Sequence, residues 1–235
     1  MASEAATAGY VRAVRVVNRG LERVGVVGLL DRNVERRPVH WMRSLLAIHD
    51  VEAMAALGVP WWSYQAIGTV DAWLAGRSGA TAFEWGSGAS TVWLAARTDR
   101  VTAVEHHEGF AATVDGLIPA HAEVIAVPPV ATTDPAVPSA KPGNAGLDFS
   151  AYVAAIDRTD DRYDLICIDG RARGACLDRA VDHLVPDGII VFDNTDRDRY
   201  RAAIDRHPEL ETTHLKGLTP ALPYPSTTTI LRRRG

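Results

Sequence analysis

Residues 83–91 read FEWGSGAST, and this stretch predicts the fold more strongly than any other part of the chain. An apolar strand candidate, Thr81–Trp85, leads into it, and a helix candidate from about Ala89 to Ala96 follows it. The glycines at 86 and 88 let the backbone turn sharply and approach a ligand with no Cβ in the way. A strand, a glycine turn and a helix in this order are typical of doubly wound α/β folds, which bind ligands at the carboxyl ends of the strands.

Strand and helix patterns continue to alternate along the rest of the chain. Further strand candidates are Val101–Glu105, Glu123–Val127, Tyr163–Asp169 and Gly188–Asp193, followed by a terminal antiparallel pair, Glu211–Lys216 and Thr227–Arg232. Helical patterns lie between most of them. The sequence therefore predicts an α/β fold with a doubly wound, mostly parallel seven-stranded sheet and helices on both faces.

The first 60 residues form a separate helical extension in this interpretation, before one domain over 61–235. Apolar residues recur at helix spacing from Val14 to Val24, and a second helix is predicted from Trp41 to Leu57. The first helix packs on the domain or on a second copy of the chain, so a homodimer through the N-terminal helices is an open alternative. The segment from Pro128 to Asp148 is rich in Pro, Ala and Gly and is predicted to be a long loop.

Composition argues against several partners. A net charge of −4 and a pI near 6.1 give no electrostatic reason to expect a nucleic-acid partner. The longest uncharged run near the N-terminus, Val24 to Leu30, is far shorter than the ~20 apolar residues that a membrane span needs. Cys167 and Cys176 are the only two cysteines and form no CxxC pair. We expect a cytoplasmic protein that binds neither membranes nor nucleic acids.

Two features of the glycine turn discriminate between cofactors. Glu84 precedes the first glycine by two residues, and Thr91 stands where a GxGxxG motif has its third glycine. A carboxylate beside an anionic pyrophosphate is unfavourable, whereas the ammonium and sulfonium of S-adenosylmethionine (SAM) favour one. Glu105 ends the second strand nineteen residues after Gly86, where an acidic residue accepts hydrogen bonds from ribose hydroxyls. The alternative is that both glutamates are ordinary strand ends.

Four segments of the chain resemble a known family, in the correct order. FEWGSGASTVWLA and VTAVEHH are similar to the first two motifs of class I SAM-dependent methyltransferases, and YDLICIDGRARGAC and PDGIIVFDN to their fourth- and fifth-strand motifs. The resemblance covers roughly Trp61 to Arg232 and implies a Rossmann-like methyltransferase fold. The cofactor-binding residues that we expect are Glu84, Gly86, Ser87, Gly88, Ser90, Glu105 and Asp169.

The last two motifs also resemble those of catechol-type O-methyltransferases. In that family an Asp after strand four and an Asp-Asn pair after strand five hold Mg²⁺, so the resemblance implies Asp169, Asp193 and Asn194 as the ligands here. Arg171 and Arg173 stand where those enzymes have a basic lysine, and arginine remains protonated. The arginines could instead hold a carboxylate or phosphate of the substrate. The candidate catalytic residues are Asp169, Asp193 and Arg171.

The sequence therefore predicts an enzyme that transfers the SAM methyl group to a small molecule. O-methylation, with Mg²⁺ as a possible second cofactor, is the first expectation. N-methylation without a metal, an NAD-dependent oxidoreductase and a SAM-binding protein without catalytic activity are the alternatives. The methyl acceptor itself is not predictable from these residues.

Overall fold

The computed structural model describes residues 17–18, 20–47, 50–158 and 161–235. The strands are β1 Thr81–Trp85, β2 Arg100–Glu105, β3 Ala122–Ala126, β4 Val130–Ala131, β5 Leu147–Asp148, β6 Tyr163–Ile168, β7 Leu184–Phe192, β8 Leu210–Gly217 and β9 Ser226–Arg233. The helices are α1 Val26–Asp31, α2 Arg37–Leu45, α3 Val51–Ala56, α4 Tyr64–Ala75, α5 Ala89–Ala95, α6 Glu108–Asp115, α7 Ser150–Val153, α8 Arg173–His183 and α9 Asp198–Ile204. A 3-10 turn, Ala154–Arg158, follows α7.

Seven of these strands form one sheet in the order β3-β2-β1-β6-β7-β9-β8. All neighbouring pairs are parallel except those of β9, which runs antiparallel to both β7 and β8. The predicted doubly wound, mostly parallel seven-stranded sheet is confirmed, including its terminal antiparallel pair. The chain order reverses between β1 and β6, and such a switch point opens a crevice at the carboxyl ends of the strands.

Side chains of the central strands alternate between two apolar layers. On β6, Leu165 and Cys167 pack into one layer, whereas Ile166 and Ile168 pack into the other. The first layer receives helices α4 and α5, and the second receives α7 and α8. Helices on both faces explain why this strand reads as a continuous apolar run, because a strand buried on both sides has no polar face.

The N-terminal helices differ from the prediction. The single helix predicted over Trp41–Leu57 is wrong: α2 ends at Leu45 and α3 begins at Val51, with residues 48–49 outside the described part. The side chain of Asp50 accepts a hydrogen bond from the Ala53 N–H at 2.9 Å, which caps the start of α3 and so begins a new helix. The predicted helix from Val14 lies partly outside the described residues.

The segment after β3 is more ordered than a plain loop. Val130 pairs with Asp148 in a short antiparallel ladder, β4 with β5. Asp148 Oδ1 then accepts hydrogen bonds from the backbone N–H groups of Val137 and Ser150, at 2.9 Å and 3.1 Å. These bonds close residues 128–148 into a compact excursion and start α7, which reaches the carboxyl edge of the sheet.

Candidate functional site

Strand register brings the predicted site residues to one level of the sheet. Trp85 is aligned with Val104 and with Ile168, and Ile168 is aligned with Phe192. The residues immediately after these four are Gly86, Glu105, Asp169 and Asp193. Three carboxylates and the glycine turn therefore share the edge of the sheet at the switch point.

The two glycines of the turn have different roles. Gly86 has φ +97°, and a Cβ there would lie 2.6 Å from the backbone Cα of Gly170. This glycine is required because the turns after β1 and β6 touch. Gly88 has an extended backbone, and a Cβ there would meet no atom within 4 Å. The open space beside Gly88 lies at the start of α5, where a ligand can approach the backbone.

Glu84 is a fully buried carboxyl group beneath this turn. Thr91 Oγ1 donates to Glu84 Oε2 at 2.5 Å and accepts a hydrogen bond from the Gly88 N–H at 2.9 Å. Burial raises the pKa of Glu84 from 4.5 to about 7, against the effect of the nearby hydroxyls of Ser90 and Thr91. Glu84 Oε1 and Ser87 Oγ are buried and find no well-aligned hydrogen-bond partner among the described residues.

Glu105 is also buried, with 3% of its surface exposed, but its surroundings favour the charged form. Burial alone would raise its pKa, yet the imidazole of His106 and the backbone N–H of His107 outweigh burial and hold the pKa below its ordinary value. His106 Nδ1 lies 2.5 Å from Glu105 Oε1, and the His107 N–H donates to the same oxygen at 3.0 Å. Glu105 is therefore an anion beside the open end of the crevice.

Aromatic side chains form the adjoining wall. The rings of Phe149 and Tyr152 lie 6.2 Å and 6.3 Å from the His106 ring, as measured between ring centroids. The Tyr152 hydroxyl is buried beside the backbone of Arg171, and a Cβ on Gly170 would collide with it. Phe149 and Tyr152 are fully buried, so they support His106 and Gly170 as part of the apolar core.

Asp169 and Asp193 are joined by one buried guanidinium. Arg173 Nη2 lies 2.6 Å from Asp169 Oδ1, and its Nη1 lies 3.9 Å from Asp193 Oδ2. The same guanidinium donates to the backbone carbonyls of Asp169, Gly170 and Asp193 at 2.7, 3.0 and 2.8 Å. Burial nevertheless raises the pKa of both aspartates, and in Asp193 the neighbouring Asp169 adds to the rise.

These residues do not fit the predicted magnesium site. Both carboxylate oxygens of Asp193 already accept hydrogen bonds, from Thr228 Oγ1 at 2.7 Å and from Asn194 Nδ2 at 2.5 Å. Asp169 Oδ1 is taken by Arg173, whose positive charge would repel a metal ion. In the described part of the chain, no three His, Cys, Asp or Glu side chains are placed to hold a metal.

The residues around the glycine turn do fit the predicted cofactor SAM. The Glu84 carboxyl group and the Ser87 hydroxyl belong to the glycine turn beside the open space at Gly88, and the Glu105 carboxylate lies one strand away. A ligand with hydrogen-bond donors and positive charge would satisfy them. Ser90 faces Glu84 as well, at the first turn of α5.

Sequence reasoning missed several members of this site. His106 contacts Glu105, and Thr91 stands in place of the third glycine because its hydroxyl bonds to both Glu84 and Gly88. Arg173 binds the protein's own aspartates, so the prediction that it holds a substrate anion is wrong. The sequence signal for this ion pair was the position of Arg173, four residues after Asp169 and at the start of a helix.

Comparison with known proteins gives a match in structure only. No protein-family model and no curated protein sequence matches the chain. An O-methyltransferase from Bacillus cereus, solved with S-adenosylhomocysteine (SAH), superposes with a TM-score of 0.54 at 19% identity, over 81% of this chain and 90% of that one. A rRNA methylase from Streptococcus thermophilus gives a TM-score of 0.49 at 12% identity, over 72% and 96%.

The N-methyltransferase NodS from Bradyrhizobium japonicum gives a TM-score of 0.48 at 12% identity, over 73% of this chain and 96% of that one. At such identities the comparison with the Bacillus cereus enzyme shows the fold alone. The chain has the fold of the class I SAM-dependent methyltransferases. This confirms the fold that the four motifs predict, and the activity has to be argued from the residues of the site.

Proposed function

We propose that the protein is a SAM-dependent methyltransferase that acts on a small molecule. One observation carries the proposal: Glu84 and Glu105, both buried, flank a glycine turn whose outer side is open at Gly88. The Glu84 carboxyl group lies where the turn would face the pyrophosphate of a dinucleotide, whereas the cationic methionine end of SAM matches it, and Glu105 suits the ribose hydroxyls of either cofactor. This arrangement favours SAM over the NAD alternative.

The chain's own residues would orient the two reactants. Bound SAM would supply an electrophilic methyl group on a sulfonium. Glu105 would hold the ribose, and Glu84 with Ser87 would hold the amino-acid end. Asp169 stands at the neighbouring strand end, with about a fifth of its side chain exposed, so it can reach an acceptor that enters the crevice.

Asp169 is also placed to take a proton. Burial raises its pKa, so the carboxylate is a stronger base than an ordinary aspartate, and Arg173 keeps it oriented. Such a base suits an acceptor hydroxyl, which must lose its proton as it attacks. We therefore infer O-methylation, with Arg173 in place of a divalent cation, and keep N-methylation as the alternative.

Calorimetry and a transfer assay test this function. We expect SAM and SAH to bind to the purified protein and NAD to give no heat. Transfer of a radiolabelled methyl group from SAM to a pool of small hydroxylated and aminated compounds should follow. Tight NAD binding without SAM binding would reject the proposal. SAM binding without methyl transfer to any compound of the pool would favour a non-catalytic SAM-binding protein.

Other properties of the chain remain proposals of the same kind. Both cysteines are free and buried, which agrees with a cytoplasmic location. No helix among the described residues has the length and apolar content to cross a membrane. Leu29 and Met42 of the N-terminal helices are exposed, which supports the proposed homodimer through these helices. Sedimentation of the purified chain tests the dimer.

A further inference from the structure

Positive charge is concentrated beside Asp193, around one aromatic ring. The guanidinium carbons of Arg173, Arg197 and Arg199 lie 5.4, 5.7 and 4.7 Å from the centroid of the Tyr200 ring. Tyr200 belongs to α9 and packs on Phe192, the last residue of β7, at 5.4 Å between centroids. The ring therefore fixes these cations at the acceptor end of the crevice.

Part of this charge has no direct ion pair within the described residues, although Glu105 and Asp169 attract Arg171 at longer range. Arg173 is paired with Asp169 and Asp193, as described above. Arg171 and Arg197 have no carboxylate within 4 Å among the residues that the structure describes. Arg171 Nε is buried and donates to no group there. A buried donor without a partner costs free energy, so such a group in a crevice indicates a missing ligand.

Lys141 brings a further cation from another element. It lies in the excursion between β4 and β5 and is exposed to solvent. Desolvation of its ammonium lowers its pKa, and repulsion from Arg171, Arg173 and Arg197 lowers it further. Lys141 therefore adds positive potential to the region around these arginines.

We propose that Lys141, Arg171 and Arg197 bind a negatively charged group, a carboxylate or a phosphate, on the methyl acceptor. The proposal rests on the proposed function, because it names the class of acceptor for that site. Guanidinium groups suit these anions, since they donate two parallel hydrogen bonds to two oxygens. A small acceptor is favoured over RNA because the chain has a net charge of −4, and the cations form one cluster next to buried carboxylates.

Binding of matched probes tests the proposal. Phenyl phosphate, benzoate and neutral benzyl alcohol are titrated into the protein, with and without saturating SAH. We expect the two anions to bind at least about tenfold more tightly than the alcohol, the effect of one charge-assisted hydrogen bond or more. Equal affinity for the alcohol and the anions would overturn the proposal. The titration without SAH measures anion binding independently of the cofactor. Its outcome therefore tests this proposal even if SAH does not bind and the proposed function fails.

Charge-removing variants locate the site. Arg197→Gln and Lys141→Gln should each weaken the anionic probes about tenfold and leave SAH affinity unchanged, whereas Arg232→Gln, an exposed arginine on β9, should change neither. Arg171→Gln should behave like Arg197→Gln if its melting temperature shows that it folds. Unchanged probe affinity in the Arg197 and Lys141 variants would overturn the proposal. So would a single-stranded RNA that binds the wild type more tightly than either anionic probe and displaces them.

Discussion

Arg173 Nη2 lies 2.6 Å from the Oδ1 of Asp169, which stands four residues earlier in the turn after β6, and donates to the Asp169 carbonyl as well. One buried cation thereby joins the turn after β6 to Asp193 at the end of β7. The site gains a fixed positive charge between two carboxylates, and that charge comes from the chain itself.

Arg173→Met should destabilise the protein by about 3–5 kcal/mol, the usual cost of leaving buried charges without their partner. The thioether is similar in length but donates no hydrogen bond to the three carbonyls or to Asp169. Urea unfolding measures the loss. Arg179→Met is the matched control, because Arg179 is 53% exposed and lies 3.5 Å from Asp157, and such surface pairs contribute about 0–1 kcal/mol. Equal losses in both variants would contradict the structural role of Arg173.

Substitutions at the two glycines should separate folding from binding. Gly88→Ala should fold normally and lose most of its SAM affinity, because its methyl group would enter open space at the cofactor's expected position. Gly86→Ala should instead lower the melting temperature, because its Cβ would lie 2.6 Å from Gly170 Cα at a φ of +97°. Calorimetry and thermal unfolding of each variant measure the two effects. Undiminished SAM affinity in a folded Gly88→Ala variant would argue against the cofactor assignment.

The sequence predicts much of the fold because its signals are local. The run from Thr81 to Trp85 and its glycine turn specify a strand and a sharp bend without reference to distant residues. The helix break at Asp50 was also visible in principle, since Asp is a preferred helix cap. The alternation of apolar residues says nothing about such a break within an otherwise helical segment.

The site is less predictable because its contacts join distant segments. Thr228 donates to Asp193 across the β7–β9 pair, and Arg173 joins the end of β6 to the end of β7 through Asp169 and Asp193. The family resemblance pointed to a metal at Asp193, but it could not show that both carboxylate oxygens are already used. The partners of a buried polar group depend on tertiary packing, which spacing does not record.

Glu105→Gln should weaken SAM binding by about 1–3 kcal/mol, because a neutral amide replaces a charged acceptor of two hydroxyl groups. Glutamine keeps the volume and an acceptor oxygen for the His107 N–H, so the fold should be retained. Calorimetric titration of the folded variant gives the change. Glu123→Gln, at an exposed position of β3, is the control. A change below a few tenths of a kcal/mol would mean that Glu105 only ends a strand.

Metal removal should have no effect on the methyl transfer that we propose. Both carboxylate oxygens of Asp193 already accept hydrogen bonds and Arg173 repels a cation, so Mg²⁺ should raise neither the melting temperature nor the SAH affinity. Methyl transfer should proceed at the same rate with and without EDTA. Activity that disappears in EDTA and returns with Mg²⁺ would show that the aspartates rearrange to bind a metal.

The ligand-free protein should lose stability as the pH rises because of Glu84. Its pKa is raised from 4.5 to about 7 in the folded state, so the folded protein holds this proton more tightly than the unfolded chain. The stabilisation is fully present below pH 4.5 and is lost as the pH rises through about 7. Urea unfolding between pH 4.5 and 8 should show a steeper decline for the wild type than for Glu84→Gln, which has no such proton.

SAM should reverse this effect, because a cationic ligand favours the ionised carboxylate. Binding near pH 6.5 should therefore release protons from Glu84 into the buffer. Titrations in phosphate and in Tris, whose ionisation enthalpies differ greatly, should give different apparent heats for the wild type and for Glu123→Gln. Glu84→Gln should remove most of the difference in heat between the two buffers, even if this variant binds SAM less tightly. A wild type with the same heat in both buffers would show that Glu84 keeps its proton when SAM binds, and its proposed role at the amino-acid end would then be wrong.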